Sequence, residues 1–126
     1  MPENSSMYTA TGAVAFISVN YPSGTFAYMV KQYRVRFQTA YAAHNVKLEE
    51  ICYAVILHAT IAAIEAAKID AARKSDASGC MYELLQLFQH DNRPDVALVL
   101  VAAQRAVLSG SYDYALNVLS KLENLR

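Results

Sequence analysis

The sequence predicts an all-α protein, an antiparallel helical bundle of four to five helices preceded by an N-terminal arm over residues 1–20. The chain has 126 residues, which suits a single domain over residues 1–126, and 55% of them are hydrophobic. Only four glycines and three prolines are present, whereas a β-sandwich or barrel needs many turns. Apolar residues also recur at steps of three and four over several long segments, which is the spacing of a helical face.

The charge balance and the hydrophobic runs exclude several classes of protein. Eleven basic residues offset eleven acidic ones, which disfavours a nucleic-acid-binding protein and a basic membrane-surface anchor. The longest strictly apolar run, Ile51–Leu57, is far shorter than the ~20 residues of a membrane span. No basic residue precedes Lys31, so no signal peptide is predicted. We expect a cytoplasmic protein in which Cys52 and Cys80 are free buried thiols, and a disulfide between them is the alternative.

The first elements are an arm and a long helix. Tyr8–Asn20 is apolar with imperfect alternation, and a short helix, a strand or an extended arm would all fit; we adopt the arm. Ser23 is the expected N-cap of the first helix. That helix carries one apolar face from Phe26 onward and ends at His44-Asn45.

The second helix is expected over Val46–Lys74, with Asn45 as its N-cap. From Ile51 to Ile64 it is apolar nearly all round. A helix of this kind is either central in the fold or covered by a partner.

The remaining elements are predicted from breaks in the pattern. Ser75–Gly79 is expected to form a loop, with Ser78 capping a third helix over Cys80–His90. Pro94 suits the first position of the next helix. The last segment, Asp95–Leu125, is helical in pattern, and Ser109-Gly110 either breaks it into a hairpin or marks a weak point within one long helix.

No constellation of residues indicates chemistry, so no catalytic, cofactor-binding or metal-binding residue is predicted. The histidines His44, His58 and His90 lack the spacing of zinc ligands. The four scattered glycines form neither a phosphate-binding loop nor a nucleophile elbow. A small enzyme remains a minor hypothesis, which requires titratable groups converging in a pocket.

Several short motifs occur in an order that resembles flagellin export chaperones of the FliS type. The motifs span Tyr8 to about Leu119 and are Tyr8-Thr9-Ala10, Ser18-Val19-Asn20, Pro22-Ser23-Gly24, Gly79-Cys80-Met81-Tyr82 and Asp91-Asn92. The resemblance implies an antiparallel bundle that binds the helical C-terminal segment of flagellin along apolar grooves. It also implies that the N-terminal arm occupies part of that surface when no partner is bound.

We therefore expect a non-enzymatic export chaperone of the flagellar or type III secretion kind. Its protein partner would be an amphipathic helix of a flagellin-like secreted subunit, held so that the subunit does not polymerise prematurely. The expected partner-binding residues are Tyr8, Phe26, Tyr33, Tyr53, Ile56, Leu57, Ile61 and Ile64. No nucleic acid and no cofactor is expected.

Two other interpretations of the sequence stay open. A self-assembling coat or filament subunit would also have low charge and much Ala and Tyr, with its apolar surface covered by copies of itself in a homo-oligomer. The stretch Gly110–Leu116 is similar to the turn and second helix of a tetratricopeptide hairpin, but no second copy is found. That similarity also indicates a binding module.

Overall fold

The computed structural model describes residues 22–122, and these form five α-helices, one short 3₁₀ helix and no strand. The all-α prediction is confirmed. The expected arm over residues 1–20 lies outside the described residues. In chain order the elements are α1 (Thr25–Ala42), α2 (Val46–Ile69), a 3₁₀ turn (Ala71–Arg73), α3 (Lys74–His90), α4 (Pro94–Ser109) and α5 (Tyr112–Leu122).

The helices α1, α2 and α3 pack against one another, α4 packs on α3, and α5 returns to α2. The direction of α5 follows from two contacts with α2. The Tyr53 hydroxyl donates a hydrogen bond to the Leu122 carbonyl at 2.8 Å, and the Lys68 ammonium lies 2.9 Å from the Asp113 carboxylate. Since the later residue of α2 meets the earlier residue of α5, these two helices are antiparallel. One apolar cluster runs through all five helices.

Three of the helix ends share one backbone motif. His44, Asn92 and Gly110 adopt positive φ angles of 57°, 56° and 87°. In each case the next N–H donates back to a carbonyl at the end of the helix, as from Ser111 to Ala106 at 2.7 Å. This is the Schellman arrangement that satisfies the last carbonyls of a helix. The hairpin interpretation of Ser109-Gly110 is confirmed, as are the predicted Asn45 cap and Pro94 start.

The boundary between the second and third helices was predicted wrongly. α2 ends at Ile69, and α3 begins at Lys74, so the expected loop over Ser75–Gly79 is helical. Ser78 is consequently inside α3 and caps nothing at its start. The break lies instead at Asp70, whose backbone is extended and whose carboxylate accepts a hydrogen bond from the Ala72 N–H.

The start of α1 also differs from the prediction. Its N-cap is Gly24 rather than Ser23, with a φ of 101° and no side-chain cap from its own residue. The Ser23 hydroxyl donates instead to the Ala72 carbonyl. The carboxylate of Asp76, in α3, accepts hydrogen bonds from the Ala27 N–H at 2.7 Å and the Phe26 N–H at 3.4 Å. A buried side chain from another helix therefore caps α1.

Among the described helices, α2 is the one long and apolar enough to cross a membrane by length and composition, with a mean hydropathy of 1.5. However, 56% of that apolar window is buried inside the protein. This burial is typical of the core helix of a soluble protein and is compatible with the expectation of no membrane span.

Candidate partner-binding face

The central helix α2 contacts α1, α3, α5 and the 3₁₀ turn. Its inner side is made of residues that recur at steps of three and four, so they share one helical face. The buried residues of α2 are Glu49, Cys52, Tyr53, Ile56, Leu57, Ala59, Thr60, Ala63, Ile64, Ala66 and Ala67. The apolar character all round the helix thus divides into a wide core face and a narrower outward one.

Four of the eight expected partner-binding residues lie in the core. Ile56 and Ile64 are 0% exposed, Leu57 is 2% exposed and Tyr53 is 6% exposed. The Tyr53 ring also packs edge-on against Phe88, with 6.0 Å between the ring centroids. A partner helix would contact these four side chains only after the bundle opened.

Three further expected residues, Phe26, Tyr33 and Ile61, are partly buried and pack at the edge of the core. Tyr33 carries the guanidinium of Arg36 over its ring, 4.9 Å from the centroid, which is a cation–π contact. These three side chains retain surface that a partner can reach without rearrangement of the bundle. Tyr8 lies outside the described residues.

The outward side of α2 is a stripe that runs nearly the length of the helix. We call the α2 outer face the exposed and half-buried residues Ile51, Ala54, Val55, His58, Ile61, Ala62, Glu65 and Ile69. Ile51 is 52% exposed and Ile69 is 66% exposed, so large apolar side chains meet solvent at both ends of it. Of the expected partner-binding residues, Ile61 alone lies on this face.

The sequence indicates α2 as an apolar helix but does not indicate which of its sides faces outward. Ile51 and Val55 lie within the all-round apolar stretch, yet sequence periodicity alone gives no reason to prefer one side of such a helix as outward. The contacts of α1, α3 and α5 determine which side of α2 faces outward, because these helices cover the side centred on Ile56. The opposite side of α2 is consequently left to solvent or to a partner.

Besides the α2 outer face, the described residues form an apolar cleft between α4 and α5. It has a volume of about 470 Å³ and is lined by both helices of the C-terminal hairpin. Val99 and Tyr114 on its walls are 45% and 49% exposed. Lys121 and Asp95 place charged groups at the same cleft. Apolar walls with a few polar groups are typical of a surface that holds a protein segment or a small ligand.

The two cysteine thiols, both within residues 22–122, are protonated at neutral pH. Cys52 and Cys80 are free and buried, as predicted. Burial raises the pKa of both thiols, and at Cys52 the nearby positive charge of Arg36 opposes that rise. A raised thiol pKa keeps the group protonated and unreactive. No group of three His, Cys, Asp or Glu side chains able to hold a metal ion occurs within residues 22–122.

The described residues thus offer two apolar surfaces, the α2 outer face and the cleft between α4 and α5. Comparison with known proteins adds no relative: the chain matches no protein-family model, and no curated protein and no solved structure is significantly similar to it.

Proposed function

We propose that this protein is a non-enzymatic export chaperone that binds an amphipathic helical segment of a secreted, flagellin-like subunit on the α2 outer face. The observation that carries the proposal is the row of outward apolar residues on α2, from Ile51 to Ile69, spaced as a helix partner requires. The order of motifs that resembles flagellin export chaperones supports the same partner class.

The mechanism rests on burial of two apolar stripes against each other. A partner helix presents anchors at positions i, i+3, i+4 and i+7, and these pack between Ile51, Val55 and Ile61. Ala54 and Ala62 are small, so they leave room for the larger side chains of the partner. The same apolar stripe on the subunit would otherwise pair with other subunits, and its burial prevents premature polymerisation.

Charge has a minor part in this mechanism. The chain is formally neutral, with eleven basic and eleven acidic residues. His58 and Glu65 are the polar members of the α2 outer face. We therefore expect binding to depend weakly on ionic strength, because apolar contacts are not screened by salt as exposed ion pairs are.

A polymerisation assay tests the function. Flagellin from the same organism is seeded and followed by light scattering, with and without an equimolar amount of the full chain. We expect the chain to suppress filament growth, the Ile51→Asp variant to lose suppression, and the Val35→Asp variant to retain it. Val35 is a matched control because it is 50% exposed on α1, against 52% for Ile51.

The alternative, a self-assembling structural subunit, gives a different result. Filaments formed by the pure chain alone, seen by electron microscopy, would contradict the chaperone proposal. Unchanged flagellin growth in the presence of the folded wild-type chain would contradict it as well.

A further inference from the structure

The outward side of α4 carries a second surface, separate from the α2 outer face. Leu98 is 74% exposed, the largest exposed fraction among the exposed large hydrophobic residues of the described chain. Asp95, Ala102 and Arg105 are exposed beside it, while Leu100, on the opposite side of the helix, is 0% exposed. We call Asp95, Leu98, Ala102 and Arg105 the α4 ridge.

The α4 ridge is self-complementary about Leu100. Leu98 and Ala102 lie at equal distances along the chain before and after Leu100, and Asp95 and Arg105 do so farther out. If two copies of α4 lie antiparallel, Leu98 of each copy faces Ala102 of the other. Asp95 of each copy faces Arg105 of the other. A large side chain thus meets a small one, and each acid meets a base.

We propose that a second copy of this chain docks on the α4 ridge, with the two α4 helices antiparallel about a two-fold axis near Leu100. In such an isologous contact every interaction is made twice, so the pairs of Leu98 with Ala102 and of Asp95 with Arg105 each occur in duplicate. The small Ala102 side chain lets the helix axes approach closely.

Both charged groups are available for this pairing. Arg105 makes no ion pair within residues 22–122. The Asp95 side chain is 71% exposed, and one of its carboxylate oxygens lies 3.4 Å from the Arg93 guanidinium. That neighbour lowers the pKa of the Asp95 carboxyl, which is therefore ionised at neutral pH. An exposed carboxylate has several acceptor sites and can accept a further hydrogen bond from a guanidinium of a second copy.

A depression at the start of α4 fits the same pairing. It has a volume of about 330 Å³ and is lined by residues that include Asn92, Pro94 and Val101. Leu108, which is 53% exposed, lies in the last turn of α4. The antiparallel arrangement therefore brings the C-terminal end of α4 in one copy toward this depression on the other.

The contact is small, since it involves one helix from each copy. Interfaces below about 1,200 Å² of total buried area are typically weak and transient, so we expect a reversible dimer. Because an isologous contact closes on itself, it gives a dimer and not a filament. The docking surface is separate from the α2 outer face, so neither proposal depends on the other.

Sedimentation velocity on the full chain tests the dimer. With increasing concentration, up to about 1 mM, we expect the wild-type mass to rise from 13.9 kDa toward twice that value. Leu98→Asp should remain a monomer, whereas Tyr28→Asp, at a 68% exposed residue of α1, should dimerise as the wild type does. Circular dichroism shows whether both variants are folded. A wild-type chain that is monomeric throughout, or dimers that persist in folded Leu98→Asp, would overturn the proposal.

Charge reversal tests the register of the two helices. Asp95→Arg and Arg105→Asp each place like charges opposite each other in the homodimer, and we expect each to weaken dimerisation at least about tenfold. An equimolar mixture of the two variants restores both opposite-charge pairs in a heterodimer. Recovery of association in that mixture supports the register, and its absence would show that the antiparallel pairing is wrong.

Discussion

The carboxylate of Asp76 gives the sharpest stability prediction, because it caps a helix to which it does not belong. It is 3% exposed and accepts hydrogen bonds from the Ala27 N–H at 2.7 Å and from the Phe26 N–H at 3.4 Å. The first helix of the bundle thus depends on a residue of the third. Replacement by alanine leaves both N–H groups without this acceptor in a partly buried place.

The expected magnitude follows from the two hydrogen bonds. A hydrogen bond to a charged group contributes about 1.5–3 kcal/mol, and the longer bond adds less. We expect Asp76→Ala to lower the free energy of unfolding by about 2–4 kcal/mol. Asp76→Asn keeps one acceptor oxygen and should lose about half as much. A chain of this size then melts about 10 °C lower for the alanine variant.

Urea unfolding followed by circular dichroism measures the change, with Asn45→Ala as the control. Asn45 caps α2 locally, at an exposed position, by accepting from the Leu48 N–H at 3.2 Å. An ordinary cap of this kind contributes about 1 kcal/mol. Hydrogen exchange should also show faster exchange at the Phe26 and Ala27 amides of Asp76→Ala. Equal losses in the two alanine variants, with those amides still protected, would refute the reasoning.

Two further predictions concern α3, the helix that carries Asp76. Gly79→Ala should lower the melting temperature despite the better helix propensity of alanine, because a Cβ at this position would lie 2.9 Å from the Ala27 Cβ. Adding Ala27→Gly to the same chain removes that close contact and should restore the melting temperature. The free energy of unfolding should fall above pH 9.0, the ordinary pKa of a thiol, because burial keeps Cys80 protonated in the folded state while the unfolded chain releases that proton. The slope, up to about 1.4 kcal/mol per pH unit, should be smaller in Cys80→Ala, and equal slopes would contradict this explanation.

The local signals in the sequence predicted most helix ends, but they missed the boundary between α2 and α3 and the N-cap of α1. Asn45, Pro94 and Gly110 act through their own backbone neighbours, and each lies where its residue type predicts. The stretch Ser75–Gly79 has the composition of a loop but is helical. Its residues make contacts across the bundle, since Asp76 caps α1 and Gly79 lets Ala27 approach closely. Tertiary contacts of this kind override local propensity.

The sequence directs attention to α2, whereas the choice of its outward side needs the packing of the other helices. The all-round apolar stretch of α2 predicts a helix that is either central or covered by a partner, and the packing of the other helices makes it central. It also led to the choice of Ile56 and Ile64 as partner-binding residues, although both are fully buried. Which side of α2 faces outward depends on where α1, α3 and α5 pack. Substitutions at Ile51 therefore test partner binding, whereas a charge at Ile56 would first disrupt the core.

The most direct test of the proposed function is a calorimetric titration of the full chain with a synthetic peptide of the helical C-terminal segment of flagellin. We predict one-to-one binding with a negative heat-capacity change, as expected for apolar burial. Ile51→Asp should weaken binding by about 2–3 kcal/mol, or about 30- to 150-fold, because it removes apolar contact and buries a carboxylate. Val35→Asp, equally exposed on α1, should bind as the wild type does. Absence of binding to the folded wild-type chain, or equal affinities of the two variants, would contradict the assignment of the α2 outer face as the partner-binding surface.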